Sequence, residues 1–382
     1  MPLSNNKQHT DITEKTSLLL LAIGINALEY LFPRIPFLPW LKPGLANAIT
    51  IIWIVRWGAL DTMIFALVKS WIVSFYFGFS LISLTLSITG GTASVLCMGL
   101  LWIAAGRRGL IGLVGLGIAG AVVHNCAQIG VVYFLLTTSG ALLYQVPFMI
   151  GASLIFGGIT GGLAFALLPL LTIPTGHVVL TTPLPPGASV HFDIKITAKN
   201  TRLFLGICIL ILSIGIVMIP SIRMLLAGVI LATLLSLFST RKLSTLLYPI
   251  RQFWLLFLFI AIMYLFFSYG RNITGFSIIT HEGLRQTLQQ WCRLWIWIQL
   301  SLVLSKLQFN RILLNLATRY SPIGHETFVA ALFALELFPG FFDILRKESR
   351  LDLKRMIRHP LTGITAWIHN LYIRICVLRQ GQ

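Results

Sequence analysis

The feature that most constrains this chain is the recurrence of long apolar runs separated by short segments holding most of its lysines and arginines. A helix needs about 20 mostly apolar residues to cross a hydrocarbon core of ~30 Å. Six such runs fill the first half, at roughly 17–33, 44–57, 59–78, 81–105, 109–136 and 142–171. The second, 44–57, is short and open to a re-entrant reading. Further runs follow at about 203–219, 224–238, 252–269 and 290–305. Of the 382 residues 57% are hydrophobic and 10% charged, against about 25% charged in soluble domains. A soluble fold would have to expose apolar patches larger than soluble monomers carry. In lipid, each backbone polar group must be satisfied inside the protein, and runs of this length do that as helices. The expectation is an all-α, polytopic membrane bundle, with about six helices in the first half and four to six in the second.

Charge sets the orientation. The net charge is +18, from 29 Lys and Arg against 11 Asp and Glu. The basic residues lie between apolar runs, which fits membrane topology better than a nucleic-acid face. With the N-terminus inside, Arg56, Arg107, Arg108, Lys195, Lys199, Arg202, Arg241, Lys242 and Arg251 fall inside. The loops near Gly78 and Thr137–Ser139 fall outside and carry no Lys or Arg. The inner (cytoplasmic) membrane is the expected location, with no cleavable signal peptide. Arg34 and Lys42 are the exceptions to the orientation rule. Pro183, Pro185, Pro186 and Gly187 interrupt the pattern, because proline cannot continue a helix. Three regions result: a membrane domain over 1–173, a Pro-rich cytoplasmic linker over 174–202, and a membrane and coupling domain over 203–382. After Ser305 apolar and basic residues mix, as at an interface or a partner-binding surface; residues 361–378 read equally as a spanning or a surface helix.

Ionisable groups inside a membrane are costly and face a cavity or a partner. In the first half these are Glu29, Lys42, Asp61, Lys69 and His124, with Asn47, Asn125 and Gln128 as neutral polar companions. Glu29 and Lys42 flank a bend made by Pro33, Pro36, Pro39 and Pro43, where unwound backbone is available to a ligand. Lys69 divides evenly between a ligand contact and a snorkelling lysine. His124 and Gln128 stand one helical turn apart on one face. Ser87 to Ser94, with Thr89, Gly90 and Gly91 at its centre, reads as a substrate-lining break or as tight helix packing. Gly158 and Gly162 have small-xxx-small spacing. Arg56 and Asp61, at a helix junction, read as a cap or an ion pair more than as a site. The five cysteines form no CxxC pair and read as small buried hydrophobes.

No Asp-rich diphosphate motif, zinc-type His/Cys spacing, nucleophile elbow or Walker A is present. No catalytic, metal or cofactor residue is therefore assigned. Enzymatic activity is the less favoured reading, and a membrane prenyltransferase the weakest.

Lys42-Pro43-Gly44-Leu45-Ala46-Asn47, then Ser87 to Ser94, then His124-Asn125 to Gln128, occur in order. Over roughly 17–171 the chain resembles the Gx transporter family, often labelled heptaprenyl diphosphate synthase component I. That family looks like the substrate-binding S components of energy-coupling-factor (ECF) transporters. The resemblance implies a substrate site drawn from Glu29, Lys42, Asn47, Lys69, Thr89, Gly90, Gly91, His124, Asn125 and Gln128. Over about 194–358 the chain resembles the T component of the same transporters, the cobalt-transporter membrane subunit family. Thr280-His281-Glu282-Gly283-Leu284, followed by Arg293, looks like the opening of the long T-component helix. Ala334 to Pro339, followed by Arg346, Lys347 and Glu348, looks like the coupling region. The resemblance implies that Arg346, Lys347, Arg350, Lys354 and Arg355 couple to ATPases; the stretch 348–355 keeps the basic character but not the family's Ala-Arg-Gly.

These resemblances imply an uptake component for a small organic molecule, vitamin- or quinone-precursor-like, with membrane lipid around it. ATP would act only through cytoplasmic partner ATPases, and no nucleic acid is involved. The alternative is a non-transporting membrane subunit or scaffold supporting isoprenoid quinone synthesis or flavin-linked electron transfer.

Overall fold

The computed structural model describes residues 2–29, 44–76, 81–135, 140–171, 196–216, 219–267, 279–307, 309–321, 323–348 and 360–380. Within these it is an all-α bundle. The first half holds α1 (Pro2–Glu29), α2 (Asn47–Tyr76), α3 (Leu81–Ala104), α4 (Leu113–Leu135) and α5 (Val146–Leu167). The second holds α6 (Ile196–Gly215), α7 (Ile222–Thr240), α8 (Tyr248–Phe267), α9 (His281–Lys306), α10 (Phe309–Tyr320), α11 (His325–Glu348) and α12 (Pro360–Gln380). α6 begins inside the stretch read as the linker; residues 174–195 lie outside the described residues. The mixed region after Ser305 is built of α10, α11 and α12.

Two apolar runs, 44–57 and 59–78, join in α2, and Gly58 explains how. Its φ of 83° and ψ of 176° break the helix, a conformation a side chain would strain. The break is a reversal. Lys69 and Asn47 are 22 positions apart, ~33 Å along a straight helix, yet Lys69 Nζ donates to Asn47 Oδ1 at 3.3 Å. Trp53 stacks on Phe65 with ring centroids 4.1 Å apart. α2 is thus a helical hairpin, and with it the first half has six rods. The arm over 47–57 reaches only ~16 Å, about half the hydrocarbon thickness.

The bundle is inside-out relative to a soluble protein. Leu96, Leu100 and Ile103 on α3, Leu154 and Phe165 on α5, and Ile230, Leu234 and Phe238 on α7 are exposed. Lys15, Glu29, Lys69, Gln128 and Gln299 are buried. Apolar surface outward and polar groups inward suit a lipid surround. Among the described residues five stretches are long and apolar enough to cross a membrane, Asn47–Ser74, Ile82–Arg108, Leu113–Phe134, Leu142–Leu167 and Ile222–Thr240; the first of these is the α2 hairpin and does not run as one rod. By length and composition the chain is a membrane protein.

α4 and α5 pack backbone to backbone. A Cβ on Gly117 would lie 2.4 Å from Gly157 O, and one on Gly161 would lie 2.5 Å from Val114 Cα. Gly158 and Gly162 face open space. The small-xxx-small seam therefore runs through Gly157 and Gly161, one position before the pair expected from sequence. That one-residue step turns a helical position by about 100°, from the lipid side to the partner helix.

In the second half, α9 is the central strut. Thr280 caps it, its side chain accepting from Gly283 N at 3.0 Å, with Glu282 in the first turn complementing the helix dipole. Its long polar side chains tie off carbonyls of neighbouring segments. Arg293 donates to Ile219 O at 2.8 Å, Trp297 to Ser213 O at 2.7 Å and Gln299 to Thr245 O at 3.2 Å.

The halves meet through α11 on α1 and α2, where Gly324 (φ 69°) turns the chain tightly against Ile64. Asp61, next to the Gly58 reversal, accepts from Trp53 Nε1 and Thr327 Oγ1, each at 2.8 Å. Lys15 lies 3.1 Å from Asp61 and 2.9 Å from Glu326. Arg56 pairs with Glu14 and donates to Leu168 O and Leu171 O, both at 3.3 Å. Arg56 and Asp61 are thus paired structural residues that gather α1, α2, α5 and α11 at one end of the bundle.

Candidate functional site

Away from that charged end, the first half holds a partly open cavity of about 90 Å³. One water needs ~10–15 Å³ measured this way. The space therefore suits about six to nine waters, or an organic molecule on the order of ten non-hydrogen atoms. Lys69 stands eleven positions after Gly58, ~16 Å along the second arm of α2 and a little past its middle.

Each wall follows from local sequence. Glu29 ends α1, 5% exposed, and its Oε1 accepts from Ala46 N at 3.0 Å. The carboxylate thereby satisfies a backbone donor just before α2 begins, where the helix's own N–H groups lack partners. The hairpin brings Lys69, also 5% exposed, against the start of its own helix. Its Nζ donates to Asn47 Oδ1 and Thr50 Oγ1, each at 3.3 Å, and lies 5.5 Å from the Phe65 ring centroid. Snorkelling is thereby replaced by an inward-held cation. No carboxylate oxygen among the described residues lies within 4.0 Å of it. α4 supplies His124, Asn125 and Gln128. Asn125 Nδ2 donates to Ser153 Oγ at 2.8 Å, and Gln128 Nε2 to Leu86 O at 3.4 Å.

Seven of the ten substrate-site residues expected from sequence line this one cavity: Glu29, Asn47, Lys69, Gly91, His124, Asn125 and Gln128. Gly90 stands behind the wall. A Cβ there would lie 2.8 Å from His124 Cε1 and 2.9 Å from Nδ1, so Gly90 makes room for the imidazole. Thr89 is not part of the lining; its hydroxyl bonds back to Thr85 O at 2.7 Å within α3, as hydroxyls in membrane helices commonly do. Lys42 lies outside the described residues, as do Pro33, Pro36, Pro39 and Pro43 of the proposed bend. Of the coupling residues, Arg346 and Lys347 lie on α11 with side chains that are not described, and Arg350, Lys354 and Arg355 lie outside the described residues. The cysteines Cys97, Cys126, Cys208 and Cys292 are free. No group of three metal-ligating side chains occurs among the described residues.

Sequence reasoning passed over Asn26, Thr50, Met98, Ser153 and Phe156, which also line the cavity, whereas Ser87 and Ser94, the ends of the expected substrate-lining break, are in the lining. Asn26 precedes Glu29 by three positions and Thr50 follows Asn47 by three, a spacing that shares a helix face. That signal was present for both. Ser153 carries no such signal, since its role depends on α5 lying against α4.

Residues 18–167 match the family model for heptaprenyl diphosphate synthase component I. Over that segment the chain is similar to that family. Every residue lining the cavity, from Asn26 to Thr160, falls inside the matched segment. No curated protein and no solved structure matches the chain.

Proposed function

We propose that this chain is the membrane part of an uptake system for a small organic molecule, vitamin- or quinone-precursor-like. Its component-I segment would bind the molecule, and the second half would couple binding to cytoplasmic ATPases supplied by partner proteins. The observation that carries this reading is the buried ammonium of Lys69, held in a cavity with no carboxylate within ion-pair distance among the described residues. Glu29 offsets its charge from beyond ion-pair distance, but two long hydrogen bonds of 3.3 Å leave the ammonium poorly solvated, a state that lowers stability and is accounted for by a ligand it receives. The family description supports a membrane component, and the positive loops support an inner-membrane location with a cytoplasmic N-terminus.

On this reading the chemistry is binding and release. Lys69 and the α4 side chains hold the polar part of the molecule, and Val95, Met98 and Phe156 hold the apolar part. Release follows when movement of α11, through Asp61 and Lys15, shifts the α2 hairpin that carries Lys69. The test is affinity purification of the tagged protein in mild detergent, followed by uptake in vesicles. Stoichiometric ATPase subunits and ATP-dependent accumulation of a solute, lost in Lys69→Met, are expected. Recovery instead with prenyl synthase subunits and no associated ATPase would replace the transport reading with the scaffold for isoprenoid quinone synthesis, which the family description itself favours.

A further inference from the structure

The hydrogen-bonding polarity of the cavity, rather than its size, defines what it accepts. The orientations of two amides are fixed by their neighbours. Ser153 Oγ donates to Met149 O at 2.6 Å. Its single proton is therefore spent, and it faces Asn125 as an acceptor. Asn125 must present its nitrogen there, at 2.8 Å. Gln128 meets Leu86 O at 3.4 Å, and a carbonyl can only accept, so Gln128 also presents nitrogen to the protein. The side-chain oxygens of Asn125 and Gln128 have no donor among the described residues. This wall of the cavity, on α4, therefore accepts hydrogen bonds.

The opposite wall, on α2, donates. Lys69 has three N–H donors and uses two, both in long bonds of 3.3 Å. Charge adds a second constraint. Among the described lining residues, Lys69 and Glu29 are the only Lys, Arg, Asp or Glu, and their formal charges cancel. A net charge brought between these buried side chains would remain uncompensated, which a low-dielectric site penalises heavily.

We infer that the ligand is a small dipolar molecule with no net charge, with an acceptor oxygen turned to Lys69 and an N–H or O–H donor turned to Asn125 and Gln128. This rests on the binding role proposed above and narrows it to a chemical class. Simple carboxylates, despite the lysine, are the wrong class, and so are simple amines, despite Glu29. Amides, lactam-type heterocycles and zwitterions are the right one.

The test uses four rigid probes of matched size and the full chain in lipid nanodiscs, read by ligand-observed saturation-transfer NMR with competition. 4-Aminobenzamide is neutral, with an acceptor at one end and a donor at the other. 4-Aminobenzoate is its anionic counterpart, 4-aminobenzamidine its cationic one, and benzamide lacks the distal donor. The expected result is that 4-aminobenzamide binds about tenfold or more tightly than each of the others, a difference of ~1.4 kcal/mol per decade. Gln128→Leu should remove the preference over benzamide and leave the preference over the charged probes intact. Tightest binding by the benzoate or the amidine, equal binding of benzamide, or no binding by any of the four would overturn the inference. The transport reading fails by a different observation, the absence of ATP-dependent uptake when partner ATPases are present, and it survives a preference for the anion.

Discussion

Removal of the Asp61 carboxylate should uncouple the two halves of the chain. Asp61 is 16% exposed at its side chain and faces Lys15, 5% exposed, at 3.1 Å. It also accepts from Trp53 Nε1 and Thr327 Oγ1, each at 2.8 Å. In Asp61→Ala those two donors lose their partner, at ~1–3 kcal/mol each where they cannot reach water. Lys15 keeps Glu326 at 2.9 Å, so it is not stranded and adds less than the full cost of breaking a buried pair. Together these come to about 2–6 kcal/mol, a range that spans the ~3–5 kcal/mol found for removing one partner of a buried pair. Asp61→Asn keeps the side-chain oxygen for one donor and should cost only ~1–2 kcal/mol. Glu326→Gln, at a side chain 30% exposed, should cost less than 1 kcal/mol. The assay is thermal unfolding of the detergent-solubilised protein, together with limited proteolysis at the segment joining the halves. The order Ala, Asn, then Glu326→Gln is expected, with Asp61→Ala and Thr327→Val coupled by about 1 kcal/mol or more in a double-mutant cycle. Asp61→Ala within ~0.5 kcal/mol of the native protein, with additive behaviour in the cycle, would refute the claim that α11 docks on the first half through this carboxylate.

Lys69→Met should lower thermal stability by about 1–2 kcal/mol, because it leaves the buried Glu29 carboxylate without its compensating charge and Asn47 and Thr50 without a donor while removing the cost of a buried ammonium; the same variant should lose ligand binding, and a stability loss above ~4 kcal/mol would make Lys69 structural. Gly90→Val should displace the His124 imidazole, since even a Cβ would sit 2.8 Å from it, and should lower ligand affinity about tenfold or more with little change in melting; unaltered affinity would remove His124 from the site. Gly161→Val should force α4 and α5 apart and cost ~1–3 kcal/mol, while Gly162→Val, facing open space, should be near neutral in thermal unfolding; equal effects would contradict the helix seam.

The membrane class and the cavity were legible in the sequence for the same physical reason. Lipid offers polar groups no partner, so Glu29, Asn47, Lys69, His124, Asn125 and Gln128 stand out against an apolar background and must converge somewhere. The sequence does not say which helix faces they occupy. The glycine seam shows this most clearly. Gly157, Gly158, Gly161 and Gly162 provide two equivalent small-residue registers, and only the packing of α5 on Val114 and Gly117 selects one of them. Thr89 failed as a lining residue by the same logic, because its hydroxyl can satisfy itself on its own helix. Lys69 was undecided because its fate depends on backbone geometry at a distant residue. A straight helix would leave it ~33 Å from Asn47 and free to snorkel, whereas the positive φ at Gly58 folds the helix back and holds the ammonium inside. Gly58 is therefore as much a determinant of the site as any residue that lines it, although it is part of neither the cavity nor any motif.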